Sequence, residues 1–413
     1  MTYQAVTVGP SDKRHSGLWT RDFALFFTAR GAAKLGDMML PVALAVGLVK
    51  HGHGAGAVGA VLASYSACFA GFVIVGGVIA DRVDTRKLMV SADLVRVGTQ
   101  VLAAVLFLTD AVVLWQLCAI GVVNGVCAAL FQPGVASTVP RIATDVQAAN
   151  GAIRTVESMA TIAGPAVAAV LIGLTSVGGV FLLHAATYLV SAGCLLGLRL
   201  AGTAPREPSR FHHDLAGGWR EFRARTWMWS VILFWMVLMV TAFGPTVPLV
   251  ATEIVSTAGD TAYGLLSATA GVGMVAGGLL AMRLRPRHPL RAGALVLLLF
   301  CLQPIGVGLH LPVPVLTVAF ALAGLGQAFW GVMWATSVQT HVPGEVLNRI
   351  HAYEVAGSLS MQPVGQAIAG PASSMLGIGP MLLVSGAVAV VLCGALAAVP
   401  AVRRLERATP ERP

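Results

Sequence analysis

Residues Val58–Ala80 read VGAVLASYSACFAGFVIVGGVIA, 23 positions without one charged side chain, and Asp81-Arg82 follow at once. At 1.5 Å per residue such a helix is about 35 Å long, enough to cross the ~30 Å hydrocarbon layer of a bilayer. A β-barrel strand would alternate polar and apolar positions over about ten residues, whereas this run, like Ala292–Leu309, is apolar on all sides. Of the 413 residues, 56% are apolar and 11% charged, against ~45–50% and ~25% in soluble proteins. That composition excludes a water-exposed globule. At roughly 34 residues per span and its connection, the length allows about twelve spans. Apolar runs bounded by Gly, Pro or charge fall at 22–49, 54–80, 88–108, 112–135, 146–174, 177–198, 227–250, 263–282, 290–309, 312–338, 351–376 and 380–399. The expected fold is an all-α polytopic membrane protein with two six-helix bundles. The first run carries Arg30, Lys34 and Asp37 and is too long for a signal h-region, so no cleavable signal is expected.

The net charge of +9 comes from 27 Lys and Arg against 18 Asp and Glu. These bases form no patch interleaved with aromatics, which argues against a nucleic-acid partner. They act instead as topology signals. Four lie inside runs, Lys50 lies on one side, and the remaining 22 lie on the other. The positive-inside rule then puts both termini in the cytoplasm. Residues 201–226, rich in Arg, Pro and His, form the single long connection. The expected organisation is a cytoplasmic segment 1–21, a bundle 22–200, a cytoplasmic linker 201–226 with an amphipathic helix around Leu215–Arg225, a bundle 227–400 and a cytoplasmic tail 401–413. Arg outnumbers Lys 23 to 4, as in a high-GC bacterial genome, and a bacterial cell membrane is the expected location. The six cysteines (Cys68, Cys118, Cys127, Cys194, Cys301, Cys393) fall in apolar runs without metal-like spacing and read as small buried hydrophobes.

The two halves repeat each other. Gly76-Gly77-Val78-Ile79-Ala80-Asp81-Arg82 returns 201 positions later as Gly277-Gly278-Leu279-Leu280-Ala281-Met282-Arg283, and Val139-Pro140 returns as Val342-Pro343. Parallel repeats of six spans are the pattern of rocker-type secondary transporters, with the substrate site between the halves near the midplane.

Gly77, Asp81, Arg82, Arg86 and Lys87 have the spacing G-x-x-x-D-R-x-x-x-R-K, with Asp84 and Thr85 inside it. This resembles the signature loop of the major facilitator superfamily, G-x-x-x-D-R-x-G-R-R. On the fifth run, Gly164-Pro165 resembles the antiporter motif G-x-x-x-G-P-x-x-G-G, with alanines at Ala160, Ala168 and Ala169. Further stretches are Gly36-Asp37 with Pro41, Ala92-Asp93-Leu94-Val95-Arg96, Phe131-Gln132-Pro133, Ala149-Asn150 leading to Glu157-Ser158, and Arg349-Ile350-His351-Ala352-Tyr353-Glu354. These resemble the drug:proton antiporter and transmembrane secretion effector group, which includes the enterobactin exporter and macrolide-efflux proteins. The resemblance implies that the first span of each half lines a central cavity and that spans two, five, eight and eleven form the interface between halves. It also implies that Gly77, Asp81, Arg82 and Arg86, with Glu354 in the second half, act as a conformational switch.

A charge at the bilayer centre costs on the order of 2.5–3.5 kcal/mol, so charges inside spans are functional candidates. Arg30, Lys34 and Asp37 lie at about 0°, 40° and −20° on a helix, one face, with Lys34 and Asp37 roughly 18 and 22 Å deep. Asp37 can carry a proton, with Lys34 tuning it, or the two can form a rigid i,i+3 pair. Glu157, with Arg154 three residues before it, offers the same alternatives. Asp93, Arg96 and Arg349 read as ion pairs near the cytoplasmic surface, worth under ~1 kcal/mol each, and His184 reads as isolated. In the second half Gln327, Trp330 and Trp334 share a helical face, and with Trp235, and Asn124 in the first half, they are the substrate-binding candidates. Aromatics with a few amides suit a lipophilic or cationic organic molecule better than a sugar; the same tryptophans can equally serve helix packing.

The reading that follows is a secondary transporter exporting a small lipophilic compound of antibiotic, drug or siderophore type in exchange for protons. The alternative is proton-coupled uptake of a nutrient or lipid. No nucleophile–base pair, metal cluster or phosphate loop marks an enzyme. The expected energy source is the proton gradient without a cofactor, and the expected working unit is a monomer in the bilayer.

Overall fold

The computed structural model describes residues 18–52, 55–199, 211–344, 346–359 and 361–408. Residues 1–17, 201–210 and 409–413, parts of the N-terminal segment, linker and tail, lie outside the described residues. The first six spans are Arg21–Lys50, Ala55–Arg82, Thr85–Leu108, Leu114–Ile142, Val146–Leu174 and Val177–Leu196. The linker carries the helix Phe211–Ala224. The seventh span runs as Thr226–Leu238, a π-helical segment Met239–Phe243 and Gly244–Ala258; the eighth is Asp260–Arg283. The ninth combines Pro289–Leu297, a 3-10 segment Leu298–Cys301 and Leu302–Gly308, and the tenth is Val313–His341. The eleventh consists of Leu347–Leu359 and Gln362–Leu376, and the twelfth is Ile378–Ala398. Among the described residues, 11 helices are long and apolar enough to cross a membrane. The eleventh span falls outside that number because it is made of two shorter helices.

Local chemistry accounts for the ends and breaks. Asp84, which stands at a glycine of the signature pattern, accepts from Lys87 N at 3.1 Å and caps the third span. Asp145 caps the fifth span in the same way through Ala148 N at 3.1 Å. Pro245 has no N–H for a helical bond, and at this point the backbone widens: Gly244 N reaches back to Met239 O, closing the π turn. Pro304 similarly follows the 3-10 segment of the ninth span.

The duplication extends to details of the connections. Asp110 and His310, 200 positions apart, both have positive φ, 53° and 52°. His51 Nε2 lies 3.3 Å from Asp110 Oδ1, and His310 Nδ1 lies 3.3 Å from Glu253 Oε1. One histidine–carboxylate pair thus ties each third connection to the far end of the first span of its half, with the partners exchanged.

Each half has its own apolar core. Phe23, Phe26, Met89, Phe131 and Leu195 pack at the end nearer the termini, and Met39, Leu44, Phe107 and Phe181 at the opposite end of the first half. In the second half Met228, Leu297, Phe300, Trp330 and Trp334 pack together. Large apolar side chains also line the outside, including Trp115, Leu174 and Val391, as expected where the surroundings are lipid. The halves meet at the end that carries the termini. Arg285 pairs with Asp145, Gln147 Nε2 donates to Ala281 O and Leu284 O, and Asn150 Nδ2 donates to Gln339 Oε1 at 2.7 Å. Val73 and Ala129 cluster there with Val355.

Candidate functional site

Four of the aromatic and amide candidates come together. Trp330 stacks on Trp334 with centroids 6.2 Å apart, and on Trp235 of the seventh span at 6.0 Å, both pairs tilted by 15°. Phe243, turned by the π segment, lies 5.3 Å from Trp235 and 3.7 Å from Phe300. Trp235, Phe243, Trp330 and Trp334, together with Gln327, wall a cavity of about 340 Å³, which Arg154 enters from the first half and Glu354 and Gln362 from the eleventh span. The volume suits a small organic molecule.

Glu354 differs in position from the sequence-based expectation of a switch near the surface. It is 7% exposed, accepts from Trp334 Nε1 at 2.8 Å and lies 2.7 Å from His351 Nδ1. The helix starts at Leu347, so Glu354 is about two turns in, roughly 10 Å from its end. Asn124 stands apart from the tryptophan cavity. It accepts from Thr99 Oγ1 at 2.9 Å and faces a second small pocket, with Tyr65, Gln100 and Phe181, inside the first half.

Asp37 joins a cluster of polar side chains between the first, third and sixth spans, and glycine permits it. A β-carbon at Gly36 would overlap His184 Cδ2 and Thr187 Oγ1, so only glycine lets the first and sixth spans approach this closely. Asp37, the next residue, accepts from Tyr188 OH at 2.5 Å and lies 3.5 Å from His184 Nε2. Its side chain is 37% exposed, while that of His184 is 2% exposed. His184 is therefore not isolated. The guanidinium of Arg96 sits 5.1 Å over the Tyr188 ring and 5.5 Å over that of Phe131. Asp93 lies 3.5 Å from Arg96 and accepts from Ser191 Oγ at 2.6 Å. Asp93 and Arg96 are buried rather than surface-paired, because the third span begins at Thr85 and they lie roughly 12 and 17 Å along it. His184, Tyr188 and Ser191, spaced by four and three, share one helical face; that spacing is the sequence signal that would have found them.

Glu157 has a different partner from the one its sequence neighbours suggest. Arg30 of the first span bonds its Oε1, and Arg154 Nη1 stands 3.9 Å from Oε2. Lys34, half-buried, shares the helical face of Arg30 and Asp37.

At the end nearer the termini, Gly77 is buried, Asp81 half-buried and Arg82 exposed, and Arg86 Nη1 donates to Leu198 O at 2.9 Å. The described hydrogen bonds between the halves include residues the sequence reading did not single out: Asp145, Gln147 and Arg285. Gly164 packs on the first span, where a β-carbon would press on Met38, and Pro165 beside it is exposed. Among the described residues no group of three or more His, Cys, Asp or Glu is placed to hold a metal ion.

Residues 26–359 match the Major Facilitator Superfamily. Solved structures share the fold. The human organic anion transporter MFSD10 (TETRAN) superposes with a TM-score of 0.72 at 14% identity, covering 91% of this chain and 99% of that one. A bacterial homologue of the iron transporter ferroportin in an outward-facing state gives 0.72 at 15% identity, covering 92% and 99%. The E. coli fucose:proton symporter gives 0.66 at 14% identity, covering 92% and 97%. No curated protein matches the sequence.

Proposed function

Since the chain belongs to the Major Facilitator Superfamily, and is thus a multi-pass membrane transporter rather than an enzyme, we propose that it exports a small lipophilic organic compound in exchange for protons. The observation that carries this reading is the cavity between the halves, with a wall of stacked tryptophans on one side and Arg154 on the other. Such a wall binds through area and stacking, worth about 0.5–1.5 kcal/mol per ring pair beyond burial. Gln327 and Gln362 supply the few polar groups that orient a cargo. Asp37 is the carboxylate for the proton, because its partly exposed side chain can exchange with water while Tyr188 and His184 hold it in place.

The proposed setting is a bacterial cytoplasmic membrane, with both termini in the cytoplasm and a single chain as the working unit. In that orientation the contacts of Asp145, Gln147 and Asn150 close the cytoplasmic side. Alternating access then requires them to break while the far ends of the halves close. The neighbouring folds are those of an organic anion transporter, a bacterial homologue of an iron transporter and a fucose:proton symporter, so side chains rather than fold select the cargo.

The test is transport in proteoliposomes under an imposed pH gradient, with dansylamide as a fluorescent lipophilic probe. Movement of the probe against the proton flux supports export. Trp330→Ala and Trp235→Ala are expected to weaken probe binding by about 1–2 kcal/mol per lost stacking contact. A second reading, proton-coupled uptake, draws on Ala160, Ala168 and Ala169 standing at glycine positions of the antiporter motif; movement of the probe with the protons would establish it instead.

A further inference from the structure

Resting on that reading of the cavity as the cargo site, we infer that its preferred cargo is an aromatic organic acid, held by its carboxylate at Arg154, rather than an organic cation. Two charged groups line the cavity, and they differ in what they have left to offer. Both oxygens of Glu354 are engaged, one by Trp334 Nε1 at 2.8 Å and the other by His351 Nδ1 at 2.7 Å, and the residue is 7% exposed. A cationic cargo would have to share these oxygens with two donors already in place, on a side chain that is only 9% exposed.

Arg154 has spare capacity. Glu157, the carboxylate it shares with Arg30, gives its Oε1 to Arg30 and leaves Arg154 Nη1 at 3.9 Å, beyond hydrogen-bond reach. Two guanidinium groups thus face one carboxylate, and the cavity wall on the side of the first half is left with an excess positive charge. The Arg154 side chain is 38% exposed. It also points at the tryptophan wall, since a β-carbon added at Gly331 would lie 3.7 Å from its Nε and 3.8 Å from Nη2. Gly331 sits between Trp330 and Trp334 on the tenth span. A carboxylate bonded to the guanidinium fork would therefore place an attached ring against Trp330 and Trp235 within the same cavity of about 340 Å³.

Three probes carry one fluorophore and differ in charge: dansylglycine is an anion, dansylamide neutral and dansylcadaverine a cation. Binding to the purified full chain in lipid nanodiscs is read by energy transfer from the tryptophans to the dansyl group. Dansylglycine is expected to bind at least about tenfold more tightly than dansylamide, the size of one charge-assisted hydrogen bond, with dansylcadaverine weakest. Arg154→Gln is expected to bring dansylglycine down to the level of dansylamide, and Arg154→Lys to keep most of the preference. A wild-type chain that binds dansylamide or dansylcadaverine as tightly as dansylglycine overturns the inference while leaving the cavity as cargo site. An Arg154→Gln chain that keeps the anion preference does the same. Dansylamide binding that Trp235→Ala and Trp330→Ala leave untouched removes the cavity itself as the site, and the inference with it. If Arg154→Gln does not fold, the wild-type ranking and Arg154→Lys still decide: a folded Arg154→Lys chain must keep most of the preference for dansylglycine, and one that binds the three probes alike overturns the inference.

Discussion

Replacing Gln147 with Leu is expected to release the closed end of the protein. Gln147, 4% exposed, donates from one amide nitrogen to Ala281 O and Leu284 O. These carbonyls belong to the last turn of the eighth span and its cap, where helical partners run out; Leu280 O already takes Leu284 N at 2.9 Å. The side chain thus caps a helix of the opposite half. A net gain of about 0.5–1.5 kcal/mol per hydrogen bond gives about 1–3 kcal/mol for the pair, or a shift of about 5- to 150-fold in the ratio of closed to open at this end. The neighbouring ion pair of Asp145 and Arg285 is partly exposed, 26% and 47%, and contributes about 0–1 kcal/mol. Gln147→Leu, which keeps the volume but not the donor, should therefore open this end more than Asp145→Asn does. Spin labels at Lys87→Cys and Arg291→Cys, in a chain with the six native cysteines replaced, report the separation of the halves by pulsed electron resonance. A distance distribution unchanged by Gln147→Leu, together with a clear shift in Asp145→Asn, would refute the reasoning and assign closure to charge.

Asp37→Asn should abolish gradient-driven transport in proteoliposomes while keeping the fold, because the amide oxygen can still accept from Tyr188 but cannot titrate; an unchanged pH dependence would move the proton to Glu157. Gly36→Ala should cost about 1–3 kcal/mol of overpacking, since the added methyl meets His184 and Thr187, and thermal unfolding in detergent should show a lowered Tm where Gly98→Ala, in open space, does not. Arg223→Cys, on the exposed part of the linker helix, should react with a membrane-impermeant thiol reagent only after the membrane is opened; labelling in intact cells would invert the topology.

The spans, the sixfold halves and the charges on the first span were legible along the chain. Membrane thickness acts on each segment separately, so a run such as Val58–Ala80 declares itself without knowledge of its neighbours, and any base or acid inside such a run stands out. The face of Gln327, Trp330 and Trp334 was legible for a related reason: helical periodicity fixes which residues of one span lie together. The duplication, visible as Gly76–Arg82 against Gly277–Arg283, carried the symmetry that Asp110 and His310 later display in three dimensions.

Pairings between spans were not legible. Arg154 is the nearer base to Glu157 in sequence, yet Arg30, 127 positions away, makes the close bond. Asp37 finds Tyr188 across 151 positions because Gly36 removes the one β-carbon that would keep the sixth span away. Asp93, Arg96, Glu354 and Asn124 likewise take their surroundings from helix starts and facing surfaces rather than from local pattern. Apolarity and period are properties of a segment, and the sequence by itself determined what depends on them: the helices, their number and their amphipathic content. Which faces meet, which charges share a partner and which cavity a side chain enters depend on close packing between distant segments, where a single β-carbon decides the approach. Only the tertiary structure settles those.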